Sequence, residues 1–196
     1  MSDRLDVYYT LSSTWSFLAW DRLGALVDRH GLAVHYYPVD FSKVFAQTGG
    51  LPLKQRAPAR QAYRLVELRR WRAHLCLQLN LEPRFFPVVD DEATHLVLVA
   101  RELGLDVWTL SRAFMAAIWQ EERDIADADT RAAIVEEQGF DLEVLQPRAP
   151  TMATVRANES AQAVGRGVFG APSFVFRGEL FWGQDRLDFV ERAIAA

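Results

Sequence analysis

A chain of 196 residues, half of them apolar and 24% charged, has the size and balance of one globular domain or of one domain carrying an insertion. Its net charge of −4 supplies no global field for nucleic acid, and no apolar run approaches the roughly 20 residues that span a bilayer. One cysteine, Cys76, excludes an internal disulfide framework and a CxxC redox pair, and the four histidines (His30, His35, His74, His95) lack metal-site spacing, so no metal is expected.

Met1-Ser2-Asp3-Arg4-Leu5 runs almost directly into Asp6-Val7-Tyr8-Tyr9-Thr10-Leu11, a β-prone stretch, which leaves no room for a signal peptide and predicts a cytoplasmic protein. Ser12-Ser13-Thr14 has the chemistry of a helix N-cap. From Trp15 a helical pattern follows, with Ala19, Leu23, Leu26 and Val27 at spacings of three and four, until His30-Gly31 ends it. Ala33 to Val39 reads as a second strand, so the first forty residues form a βαβ unit with parallel pairing.

Gly49-Gly50-Leu51-Pro52 breaks the chain before a long basic helix from about Ala59 to Leu79, with Cys76 expected inside it as a buried, inert thiol. After breaks at Pro83 and Pro87, helical candidates follow at Glu92–Leu103, Val107–Glu121, Thr130–Gln138 and Asp141–Gln146. Strand character returns as a hairpin, Ser173 to Phe176 and Glu179 to Trp182 around Arg177-Gly178, before a last helix capped by Asp185. The layout predicts an α/β thioredoxin-like fold, βαβ…ββα around a four-stranded mixed sheet, with a large all-helical insertion. Residues 1–45 and 158–196 form the discontinuous thioredoxin-like domain in this reading and 46–157 the insertion. No repeat, low-complexity tract or flexible linker is present.

Three segments carry candidate chemistry. The start of the first helix presents unpaired N–H donors and the positive end of a helix dipole, which stabilise an anion such as a thiolate. The four positions where a redox relative would hold CxxC read Ser13-Thr14-Trp15-Ser16, so any thiol must come from outside, with Ser13 as its hydrogen-bond donor. The same serines also read as plain N-caps. Pro172, between Ala171 and the third strand, stands where a cis-proline would turn the Ala171 backbone toward an extended ligand, although most X-Pro bonds are trans. Gly183-Gln184-Asp185-Arg186 opens the last helix, where a carboxylate and free N–H groups suit the α-amino acid end of a γ-glutamyl group, or simply a solvated cap.

With these segments in order along nearly the whole chain, the sequence resembles the 2-hydroxychromene-2-carboxylate isomerase family, close to the kappa-class glutathione transferases and to DsbA. Beyond Asp6–Ala19, the resemblance is carried by Gly49-Gly50-Leu51-Pro52, Tyr63-Arg64, Arg70-Trp71, Pro83-Arg84-Phe85-Phe86-Pro87, Val168-Phe169-Gly170-Ala171-Pro172 and Phe181–Leu187. It implies a glutathione-dependent isomerase of aromatic catabolism, with Ser13 stabilising a glutathione thiolate that adds reversibly to a conjugated aromatic 2-oxo acid. Ala171 and Pro172 would hold the cysteinyl part of glutathione, and Gln184 and Asp185 its γ-glutamyl end. Thr14 stands where the family has proline, and Gln184 where it has Asn or Ser.

Seven basic residues against one acid lie between Lys54 and Arg72, a local positive patch on a mildly acidic chain. Lys54, Arg64 and Arg84 are the candidates for a carboxylate cradle, with Trp15 and Phe86 lining an aromatic pocket; a solvated helix face and ordinary core packing are the alternatives. The expected partners are a small-molecule aromatic 2-oxo acid or other electrophile and, from the resemblance, a second copy of the chain as a homodimer, with no nucleic acid or membrane. A general kappa-like transferase or peroxidase and a non-catalytic thioredoxin-like binding module remain as alternatives.

Overall fold

The computed structural model describes residues 4–196; Met1, Ser2 and Asp3, placed in the thioredoxin-like part by sequence, lie outside the described residues. In chain order the elements are β1 (Arg4–Tyr9), α1 (Thr14–His30), β2 (Ala33–Pro38), α2 (Phe41–Thr48), α3 (Pro58–His74), α4 (Asp91–Glu102), α5 (Val107–Trp119), α6 (Ala128–Glu137), α7 (Leu142–Leu145), α8 (Met152–Gly165), β3 (Ser173–Phe176), β4 (Glu179–Trp182) and α9 (Leu187–Ala195). The strands form one sheet in the order β2-β1-β3-β4, with β1 parallel to β2 as a βαβ unit requires, β1 antiparallel to β3, and β3 antiparallel to β4 as a hairpin requires.

Strand alternation divides the core in two. Leu5, Val7, Tyr9, Phe174, Phe176 and Phe181 are buried with Phe17, Leu18 and Leu23 of α1 and Leu187 and Val190 of α9. The opposite face places Tyr8 against Val39, Phe41 and Val44 around α2, and Ala163 of α8. The far side of α1 meets α5, where Trp20 and Trp108 each donate an indole N–H to the other's backbone carbonyl, at 3.0 and 3.3 Å. That approach needs Gly24, since a Cβ there would lie 3.0 Å from the Trp108 ring. A second tie is the buried hydrogen bond of 2.7 Å between the Tyr9 hydroxyl and Ser111 on α5.

α1 begins as the sequence requires. Ser13 is extended (φ −86°, ψ 115°) and its Oγ accepts from the Ser16 N–H, while Gly31 closes the other end at φ 59° with its N–H on the Val27 carbonyl. The basic helix is shorter than its composition predicts. α3 ends at His74, where Leu75 (φ −87°, ψ −2°) and Cys76 close it as a turn with the Leu77 N–H on the Arg72 carbonyl at 3.1 Å, and Leu75, Leu77 and Leu79 pack on the core. Cys76 corrects the expectation of a buried thiol: it lies in this segment at φ 48° and is exposed, its Sγ 3.7 Å from the Ala73 carbonyl. The composition had not pointed to α8, two of whose buried positions are Arg156 and Ser160, so that no apolar stripe marks it. The domain limits drawn at 45/46 and 157/158 pass through α2 and α8. No helix among the described residues is long and apolar enough to cross a membrane.

Tyr9→Phe removes the hydroxyl tie to α5 and leaves the Ser111 hydroxyl buried; the expected loss is about 1 kcal/mol, or a Tm lower by roughly 2–4 °C, measured by thermal unfolding. Cys76, being exposed, is expected to react with a disulfide-exchange reagent in the native protein as readily as after denaturation, which a spectrophotometric thiol titration reads directly.

Candidate active site

The turn between β1 and α1 uses up acceptors and leaves donors. Ser13 N–H bonds to the Thr10 carbonyl at 3.1 Å, and its Oγ accepts from Ser16 at 3.2 Å. The Ser13 hydroxyl proton and the N–H groups of Thr14 and Trp15 have no partner among the described residues. Three donors therefore converge at the positive end of a 17-residue helix.

Arg64 joins them. It lies on the inner face of α3 with Leu68 and Trp71, one and two turns on, and Nη2 donates to the Thr14 Oγ1 at 2.6 Å. Its guanidinium lies 5.4 Å from the Phe86 ring centre and 5.9 Å from that of Trp119, and these rings are themselves 4.8 Å apart. No carboxylate pairs with it among the described residues. Burial first, and then the charge of Arg56, push its pKa down to about 10. A cation so placed is still charged at neutral pH and has no counter-ion among the described residues.

The proline segment borders this turn. The Ala171–Pro172 peptide is cis, and continuing the β1–β3 register sets Ala171 beside Thr10. The Ala171 N–H and carbonyl have no backbone partner among the described residues, whereas the Pro172 carbonyl accepts from the Gly183 N–H at 2.9 Å. That bond fixes Gly183 and the 3-10 turn Gln184–Arg186 to the same edge. Gln184 is buried, and both its backbone and side-chain carbonyls accept from Arg22 of α1, the former at 2.9 Å. It thus braces β4 against α1. Asp185 is exposed, with Arg186 as its ion-pair partner at 3.0 Å, and it makes no side-chain cap.

The structure therefore brings Ser13, Arg64, Phe86, Ala171 and Pro172 to one place, with Trp15 half-buried beside Ser13 and packed on the core. Two basic candidates stand apart. Arg84 is exposed, its backbone N–H bound to Glu122 at 2.6 Å and its guanidinium stacked on Phe85. Lys54 is exposed on a 3-10 turn, Leu53–Gln55, ahead of α3. Sequence reasoning missed Trp119 and Arg56, whose only signals were an aromatic residue ending a helix and one more cation in a basic run. It also missed Asp90, whose carboxylate accepts from Thr10 Oγ1 at 2.5 Å and from the Ser12 N–H at 3.1 Å.

Two cavities lie elsewhere. One of about 320 Å³ sits between α5 and α6 around Trp108, Arg112, Arg123 and Glu137, and one of about 430 Å³ borders Arg4, Asp6 and Arg166 at the far end of the sheet. Neither includes Ser13, Arg64 or Pro172. In the first, Arg112 and Arg123 are already paired with Asp21 and Glu137. Unpaired donors and unpaired charge, more than volume, mark the site at α1.

Comparison with known proteins gives the family. The model of the DSBA-like thioredoxin domain matches residues 4–195. A 2-hydroxychromene-2-carboxylate isomerase from Sphingobium xenophagum is 30% identical over 198 residues, covering 97% of each chain. The solved structure of a 2-hydroxychromene-2-carboxylate isomerase superposes with a TM-score of 0.84 at 23% identity, over 98% of this chain and 94% of that one. The cytosolic disulfide reductase DsbM from Pseudomonas aeruginosa, solved with GSH, superposes with a TM-score of 0.68 at 17% identity, over 98% of this chain and 100% of that one. Matched along its described length, the chain belongs to the DsbA-like thioredoxin proteins and, among them, to the 2-hydroxychromene-2-carboxylate isomerase family.

Proposed function

We propose that the protein is a glutathione-dependent isomerase of the 2-hydroxychromene-2-carboxylate type. The observation that carries the reading is the cluster of unused donors at the start of α1, beside a half-buried Arg64 without a counter-ion among the described residues. A site of donors and one unpaired cation is incomplete until an anion enters it. The relatives' names supply the substrate class, and the DsbM structure, which was solved with GSH, supports the choice of that tripeptide.

The residues fit glutathione in three places. Ser13 O–H and the free N–H groups of Thr14 and Trp15 suit a thiolate. The unpaired Ala171 peptide suits the backbone of a cysteinyl residue, and the exposed Asp185 suits the α-ammonium of a γ-glutamyl group. Gln184, committed to Arg22, serves as a brace for Asp185. When bound, glutathione supplies a nucleophile that adds to a conjugated carbon and leaves it again, so that a double bond can change geometry with no net redox change.

The protein's part is binding and orientation. Ser13 lowers the proton affinity of the thiol by donating to its charged form. Arg64, facing the Phe86 and Trp119 rings, holds the carboxylate of an aromatic 2-oxo acid whose ring packs on Phe86 and Trp15. Thr14 sets the Arg64 guanidinium through its Oγ1. The role suits a homodimeric cytoplasmic enzyme of aromatic catabolism.

Calorimetric titration with reduced glutathione, with the S-methyl form as control, tests the reading. Saturable binding that weakens on S-methylation is expected; the absence of binding would overturn the cofactor. Ser13→Ala is expected to lower kcat by about 10- to 100-fold, the equivalent of one charge-assisted hydrogen bond, with a smaller change in glutathione affinity. An unchanged kcat removes Ser13 from the mechanism.

Arg64→Met should raise the KM for 2-hydroxychromene-2-carboxylate by about tenfold or more while Tm holds or rises, because a half-buried guanidinium with no carboxylate partner among the described residues is lost. Thr14→Pro, which restores the family residue, removes the Oγ1 anchor and should move KM in the same direction by a smaller factor. Steady-state kinetics and thermal unfolding on the same preparations check both variants.

A further inference from the structure

We infer that Asp90 and Arg156 form a positioning pair for the Ser13 turn, an inference that rests on the isomerase reading above. Asp90 stands at the N-cap of α4, a place where a carboxylate ordinarily accepts from its own helix, yet its side chain makes no cap bond. Both oxygens are spent elsewhere. Oδ2 accepts from the Thr10 hydroxyl at 2.5 Å and from the Ser12 N–H at 3.1 Å, and Oδ1 accepts from Arg156 Nη2 at 2.8 Å. Arg156, on α8, also pairs with Asp91. Asp90 and Arg156 are 8% and 6% exposed, so the ion pair is closed to solvent.

One carboxylate thus fixes the residues at positions −3 and −1 from Ser13, and Thr10 is also the residue whose carbonyl receives the Ser13 N–H. The direction of the Ser13 O–H follows from the placement of that turn. A buried ion pair is a weak source of stability, since apolar residues of equal volume often serve as well or better. Its distinctive property is direction: a carboxylate held at one oxygen presents the other to two donors at fixed angles. Because a displacement of about 1 Å at a reacting group can reduce turnover on the order of 100-fold, a tie of this kind is expected to act on kcat. Arg156 has a second task, since it neutralises a carboxylate that would otherwise lie unpaired beside a site built for an anion.

The experiment uses the full chain with glutathione and 2-hydroxychromene-2-carboxylate. Asp90→Asn cannot accept from Thr10, Ser12 and Arg156 together, and is expected to lower kcat about 10- to 100-fold with glutathione affinity, measured by calorimetry, changed less than about threefold. Thr10→Val removes one donor at nearly constant volume and should lower kcat in the same manner, whereas Thr10→Ser, which retains the hydroxyl, should restore it. If Asp90→Asn fails to fold, the Thr10 pair decides alone.

Wild-type kcat in Asp90→Asn, or equal rates in Thr10→Val and Thr10→Ser, would overturn the inference and reduce the pair to an ordinary tie between helices. Failure of the isomerase reading shows differently, as a wild-type protein without glutathione-dependent turnover. In that case amide hydrogen exchange at Ser12 and Ser13 replaces kcat as the readout. Exchange that is faster in Thr10→Val but not in Thr10→Ser supports the positioning role, and equal exchange in the two overturns it.

Discussion

Everything at this site depends on keeping the first turn of α1 short of acceptors. A helix start normally satisfies its free N–H groups with a cap, with water or with nearby carboxylates. Here Ser13 uses its lone pair on Ser16 and keeps its proton free, the sequence places no acid in the first turn, the Asp90 carboxylate is spent on Thr10, Ser12 and Arg156, and a cation, Arg64, is brought to Thr14. The arrangement costs stability, because a half-buried guanidinium without a counter-ion among the described residues is unfavourable. Its approach to the Phe86 and Trp119 rings and one bond to Thr14 offset part of that cost. What remains is free energy that an incoming anion can recover.

The departure at Thr14 belongs to the same logic. A proline at the first helical position has no N–H, whereas threonine adds both an N–H at the anion-facing end and a hydroxyl that Arg64 can grip. Serine stands at both positions, Ser13 and Ser16, where a redox relative would hold CxxC, so the chain keeps the fold without supplying a dithiol there.

The sequence was most legible where a local rule and the global fold agree. The N-cap at Ser13, the αL glycine at Gly31, the hairpin at Arg177-Gly178 and the proline before β3 each follow from one residue's backbone preference, and each stands where expected. Legibility failed where tertiary contacts override a local pattern. Leucines at 75, 77 and 79 extended the apparent helix because periods of two and of 3.6 are hard to separate over five residues. α8 was hidden because its buried face includes Arg156 and Ser160. Among the basic residues, composition could not rank Arg64 above Lys54 or Arg84, since facing inward depends on where α3 lies against α1. Asp90 gave no signal for the same reason, its partners on the β1–α1 turn being 78 and 80 residues away.

That distance bears on how the two parts of the molecule depend on each other. The helical segment contributes Arg64, Phe86 and Trp119 to one wall of the site, and through Asp90 it also holds the loop that carries Ser13. The sheet contributes β1 and the Ala171–Pro172 edge, tied to α5 by Tyr9 and to α1 by the Arg22–Gln184 brace. The groups at the candidate site therefore come from segments that only meet when both parts have folded. An insertion that merely covered the sheet would need no buried polar ties to the β1–α1 turn, because apolar packing fixes contact but not direction. Asp90 supplies such ties at that turn, as Ser111 does for β1 through Tyr9, and this is the physical reason to regard the helical segment as one wall of the candidate site rather than as its cover.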